Sequence, residues 1–129
     1  MIPEEDWLAI WNGPDLDAVR ALSADDLEVT AVTADIEPRY YAGPDAAVRW
    51  LVELQQRLQA DWVATRRSVL ADDAVVTEGE LRFHEATTTG AESQSFAILM
   101  RFRGGKLRWV GTFMTHQAAR EAWELGVGS

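Results

Sequence analysis

The chain has no cysteine, so disulfides, thiolate nucleophiles and Cys-ligated metals are excluded from the start. It has two histidines, His84 and His116, far apart and without a ligand-like grouping of acids, which gives no basis for a metal centre. It has one lysine, Lys106, against eleven arginines, and no apolar run near the ~20 residues that a membrane-spanning helix needs. Basic residues are scarcest at the start. Residues 1–38 hold ten acidic side chains and one basic one, Arg20. A net charge of −9 with this distribution speaks against nucleic acid or an anionic membrane as partner, because phosphate recognition needs clustered cations. The opening "MIPEEDW" is acidic where a targeting peptide would be basic, so a cytoplasmic location is expected.

What remains is an ordinary globular composition, 47% hydrophobic and 26% charged, in 129 residues. That length is expected to form one domain, residues 1–129, with a core of its own. Pro3 followed by three acids predicts a helix start, and Trp7 and Trp11 share a face of that helix. "DLDAVRAL" predicts a second short helix over 15–22, and "LEVTAV" alternates as a half-buried strand over 27–32. Gly43-Pro44-Asp45 introduces a long helix to about residue 60, with Ala47, Leu51, Leu54 and Leu58 on one stripe and Val48 beside it. Four strands follow, over 62–70, 74–86 and the two arms of "FAILMRFRGGKLRWVGTFMTH". "QAAREAWEL" closes as a short helix ended by Gly126. Helices first and a meander after them predict an α+β fold, with helices packed on one face of a curved antiparallel sheet.

Gly104-Gly105 predicts a two-residue type I′ turn that pairs Arg103 with Lys106. Counting outward by twos puts Phe96, Ile98, Met100, Phe102, Leu107, Trp109, Gly111 and Phe113 on one face, toward the helices. The opposite face then opposes Arg101 to Arg108, an unfavourable like-charge pair. The preceding strand divides into Thr77, Gly79, Leu81 and Phe83 against Glu78, Glu80, Arg82 and His84. The second face is therefore expected to be a charged outer surface, solvated or buried in a dimer, where Glu78 and Glu80 offset the arginines.

This element order, together with "NGPDLDAVRAL", "YAGPDAAVRWL" and "FAILMRFRGGKL", resembles the nuclear transport factor 2-like superfamily, and within it the SnoaL-like and ketosteroid isomerase-like proteins. The resemblance covers nearly the whole chain and implies a cone-shaped fold with an internal pocket. It also implies a homodimer. Its motifs mark a fold, and fold alone does not give function. Ketosteroid isomerase chemistry would want a Tyr near Trp7, a base carboxylate near Ala31 and a second acid near Ile98. Trp, Ala and Ile cannot move those protons, so that activity is not expected. An epoxide hydrolase-like site would need an Arg and two Asp from the late strands, and "VGTFMT" contains no acid.

The expected function is binding of a small, hydrophobic, ring-containing molecule in a largely apolar pocket without cofactor or metal. Trp7, Trp11, Leu81, Phe83, Phe96, Ile98, Met100 and Trp109 are its expected walls. If a reaction follows, it is an isomerase, cyclase or dehydratase step, with Tyr40, Tyr41 and His116 as candidate catalytic groups. A non-catalytic binding or dimerisation module is the alternative. Of Arg66 and Arg67, strand parity turns one inward, and the sequence does not say which.

Overall fold

The structure is a computed structural model that describes residues 16–32, 38–84 and 93–129. The helix expected after Pro3, with Trp7 and Trp11, lies outside the described residues. In chain order the elements are α1 (Leu16–Leu22), β1 (Ser23–Val32), β2 (Pro38–Ala42), α2 (Ala46–Leu58), β3 (Ala60–Ala71), β4 (Ala74–Phe83), β5 (Ser93–Arg103), β6 (Lys106–Phe113) and α3 (His116–Glu124). They build one six-stranded sheet in the order β2-β1-β6-β5-β4-β3. Only the β1–β6 pair among these neighbours is parallel. The α+β expectation is met. Strand β2 is the addition: "PRYYA" is too short to show a period, and its pairing with β1 makes it a strand.

Inner-face residues of all the strands except the exposed β3 end, together with α1 and α2, form the main core. Val19, Leu27, Val29, Trp50, Leu51, Phe96, Ile98 and Leu107 are essentially inaccessible there. Helix α2 lies over β1 and β2 through Ala46, Ala47, Val48 and Leu51. The Gly104-Gly105 turn has positive φ at both residues, 58° and 79°, as a type I′ turn requires.

The register of this hairpin departs from simple counting. Arg103 pairs with Lys106 and Phe102 with Leu107, but Arg101 then pairs with Trp109. Arg108 is the extra residue of a β-bulge, and every later β6 residue changes face. Val110 and Thr112 turn inward beside Met100 and Ile98. Trp109, Gly111 and Phe113 turn outward, correcting the expectation that they share the inner face. The bulge also removes the Arg101–Arg108 opposition that regular pairing would impose.

Nor is the outer face a solvated charged surface. Val76, Ala97, Leu99, Trp109 and Ala119 form a second buried cluster, with Leu70, Phe113 and Trp123 packed against it. Helix α3 covers this face. Thr115 caps its N-terminus by accepting from the Ala118 N–H at 3.1 Å. At its end Val127 N–H bonds Ala122 O and Gly126 N–H bonds Trp123 O, a Schellman motif with Gly126 at φ 74°.

The segment after α3 is held on the sheet by the two arginines that counting had opposed. Arg101 donates to Val127 O at 2.8 and 3.2 Å, and its guanidinium stands 4.6 Å from the Trp123 ring centroid. Arg108 donates to Gly128 O at 3.0 Å. Burial, and then the Arg108 charge, lower the Arg101 pKa, while Asp73 opposes that. Gly128 lies against the Trp109 ring so closely that a Cβ there would fall 2.4 Å from Cδ2. A second copy of the chain cannot pack on the part of the outer face that α3 and this segment occupy.

Candidate functional site

The concave face is a grid of rows that run across the strands, since directly paired residues project to the same side. One row reads Tyr41, Val29, Val110, Met100, Val75 and Val69 from β2 to β3. Another joins Thr112, Ile98, Thr77 and Arg67. Trp62 and Leu81 form the next rung but one, and Trp62 meets Phe96 edge to face at 5.7 Å and 76°. The centre of this wall is apolar and dry. Phe96, Ile98 and Met100 are each at most 2% exposed.

Two hydroxyls interrupt it. Thr77 and Thr112 flank Ile98, about 10 Å apart at two strand spacings. Thr77 is fully buried, and its Oγ1 has no hydrogen-bond partner. A buried hydroxyl without a partner costs about 1–3 kcal/mol, so such groups are few in native folds and mark places where another polar group belongs. Thr77 was readable as an inner-face residue, but nothing in the sequence separated it from an ordinary strand threonine.

At the β2 end the wall meets α2. Glu53 accepts a short hydrogen bond from the Tyr41 hydroxyl and pairs with Arg39 at 3.1 Å. Tyr41, Val48, Arg49, Val52, Glu53 and Gln56 line an open groove of about 530 Å³ beside this triad. The involvement of Glu53 was not legible, because only the β2–α2 packing brings it to Tyr41.

The three candidate catalytic residues are not brought together. Tyr41 faces inward at the rim. Tyr40, the next residue along the strand, faces away and is 62% exposed. His116 starts α3 on the other side of the sheet, where Nε2 lies 3.0 Å from Gly79 O and Nδ1 3.6 Å from Glu78 Oε2. Glu78 is buried and also accepts from Arg120 at 2.9 Å, so this cluster fastens α3 to β4. Its partners are therefore not the β5–β6 arginines.

Of the expected pocket walls, Leu81, Phe83, Phe96, Ile98 and Met100 lie on the concave face. Trp109 lies on the opposite face, in the α3 cluster. Trp7 and Trp11 fall outside the described residues. Ala31 and Ile98 stand buried on the concave face, where ketosteroid isomerase chemistry would want acids. Among the described residues, no group of three or more His, Cys, Asp or Glu could hold a metal. No helix among them is long and apolar enough to cross a membrane.

A family profile, the SnoaL-like domain, matches residues 5–110. The chain belongs to the SnoaL-like domain family. Solved structures agree at the level of fold. A protein from Catenulispora acidiphila with a ketosteroid isomerase-like fold, solved with trimethylamine, is 19% identical. The alignment covers 92% of this chain and 91% of that one, at a TM-score of 0.67. An NTF2-like protein of unknown function from Burkholderia pseudomallei is 14% identical over 97% and 95% of the two chains, with a TM-score of 0.69. A candidate polyketide cyclase from Sinorhizobium meliloti is 14% identical over 83% and 89%, with a TM-score of 0.67. No curated protein matches the sequence. At these identities the solved structures speak for the SnoaL-like fold alone. The reading of its site rests on this chain's own residues.

Proposed function

We propose that this SnoaL-like protein binds a small, largely apolar molecule against the concave face of its sheet, using no metal or cofactor. The observation that carries the reading is the unpartnered Thr77 hydroxyl within a wall of buried apolar side chains. These side chains are closed over in this structure, so a ligand would enter only as the packing over the wall opens; its oxygen would then relieve the desolvation of the Thr77 hydroxyl, and Phe96, Ile98 and Met100 would supply apolar contact. Ring compounds suit the aromatic part of the wall, where Trp62 and Phe96 already pack edge to face.

Binding without turnover is the reading that the described residues favour. The rows through Thr77 and Phe96 present no carboxylate, imidazole or phenol among the described residues, and proton transfer needs such a group within reach. A cofactor-free isomerase, cyclase or dehydratase step would have to draw on Tyr41 and Glu53 at the rim.

The test is a thermal-shift screen of polycyclic ketones, phenols, lactones and fatty acids, with tryptophan fluorescence in parallel. A ligand at 100 times its Kd stabilises the fold by about 2.7 kcal/mol. Thr77→Val separates binding from folding, since it removes the hydroxyl and keeps the shape. The free variant should be at least as stable as the parent, while affinity for the hit falls by about five- to tenfold. A hit that binds Thr77→Val unchanged places the ligand elsewhere. Absence of any hit across the four classes refutes the reading.

A further inference from the structure

We propose that the open groove between α2 and β2 binds an amphipathic carboxylate, its head on the Arg49 guanidinium and its apolar body over Val48 and Val52. This site lies beside the concave wall and does not rest on the reading of Thr77. Helix α2 builds it. Val48, Val52 and Gln56 recur every four residues and share one face, while Arg49 and Glu53 stand on the adjoining stripe. With Tyr41 of β2 across from them, these residues line a groove of about 530 Å³, a volume in the range of small-molecule sites. From Arg49 to Gln56 it follows the helix for about 10 Å, at about 1.5 Å per residue.

The pairing of its neighbours leaves this cation available. Arg49 has an acid one helical turn to each side, Asp45 and Glu53, and the Arg49 N–H bonds Asp45 O at 3.0 Å. Either acid could pair with it at that spacing. Asp45 accepts instead from Arg20 at 2.9 Å. Glu53 pairs with Arg39 at 3.1 Å and accepts from the Tyr41 hydroxyl, so its charge is offset within the groove. Arg49 donates from Nη2 to Ala42 O at 2.8 Å, which steadies the guanidinium at the end of β2. The other edge of its fork makes no bond among the described residues, and the side chain is exposed. Such an edge takes a carboxylate through two parallel N–H···O bonds. A single guanidinium beside an offset Glu53 suits a monoanion better than a doubly charged phosphate. The floor next to it is apolar: Val52 and the Tyr41 ring are only half-buried, surface that a hydrocarbon body would remove from water. With a net charge of −9 the protein as a whole repels anions, so recognition depends on this local cation.

The experiment is calorimetric titration of the full chain with matched acid and alcohol pairs: naphthalene-2-carboxylate against naphthalene-2-methanol, and decanoate against decan-1-ol. The acid of at least one pair should bind about tenfold or more tighter than its alcohol. Arg49→Gln should abolish that preference and leave the alcohol's affinity unchanged. Val52→Ala should weaken acid and alcohol alike by about threefold or more. Arg49 is exposed and alanine favours the helix, so both variants should fold, with circular dichroism as the check. Thr77→Val should leave acid binding unchanged, which separates this groove from the concave wall. Acids that bind no tighter than their alcohols, a preference that survives Arg49→Gln, or acid binding lost in Thr77→Val each overturn the groove site and leave the concave-face reading to its own screen. Failure of both acids to bind overturns it as well.

Discussion

Replacing Trp109 with alanine should cost stability and leave the concave face intact. Trp109 is 7% exposed and lies beneath Gly128 in the cluster that α3 closes. A buried tryptophan removes about 200 Å² from water, worth about 5 kcal/mol at about 25 cal/mol per Å². Measured Trp→Ala changes in cores fall at about 3–5 kcal/mol, and neighbours that collapse into the space reduce the loss. About 4 kcal/mol is therefore expected, against a total stability of about 5–15 kcal/mol for such a domain. At about 3–4 °C per kcal/mol for this chain length, Tm should fall by about 12–16 °C. Urea unfolding followed by far-UV circular dichroism measures the loss without relying on tryptophan emission. Ligand affinity, measured well below the new Tm, should not change, because the side chain points away from Thr77. A loss below about 1 kcal/mol, or weaker ligand binding at intact stability, would refute the bulged register and return Trp109 to the concave face.

Gly79→Ala should destabilise by about 1–3 kcal/mol or more, since its Cβ would meet backbone oxygen at 2.1 Å; a neutral result in thermal melts would mean that β3 does not close in there. Arg120→Ala leaves the buried Glu78 carboxylate with His116 alone and should cost about 1–3 kcal/mol in urea unfolding. An unchanged midpoint would show that water already satisfies this group. The hydrogen bond from Arg103 holds the Asp26 carboxyl below its ordinary value of 3.8, with burial opposing it. A depressed carboxylate stabilises the fold above that value, and the contribution is lost as pH falls through and below it. Asp26→Asn should accordingly lower Tm slightly near neutrality and flatten the acid limb of a Tm–pH profile below about pH 4, so that parent and variant converge at low pH. An identical acid limb in parent and variant would remove Arg103 as the cause.

Some of this protein could be read locally. Periodicity located α2 and β3 to β6 to within a few residues, because amphipathic patterning acts over one or two turns of chain. Gly104-Gly105 named its own turn type, and Gly126 its helix end, because positive φ is a property of the residue itself. The inner-face positions of Leu81, Phe96, Ile98 and Met100 followed from parity within single uninterrupted runs. Tyr41 was legible only as one of two adjacent phenols, Tyr40 and Tyr41, and its partner Glu53 was not legible at all.

The tertiary structure decided what lies between these pieces. Two bulges, at Arg108 and at Thr65, each move one residue out of register, which sends Trp109 outward and Arg67 inward. Parity counting cannot foresee them, because a bulge is chosen by what the neighbouring strand and the covering helix can accept. At Arg108 that choice is set by the Trp109 ring seated under Gly128, and at Thr65 by the missing Cβ of Gly79. Helix α3 was legible as a helix, but the face it covers was not, because that depends on contacts between residues some forty positions apart, such as Glu78 and Arg120. Local chemistry determined the elements and most of their buried faces. Which side chains meet across the sheet was settled only by backbone register, where a shift of one residue exchanges inside for outside.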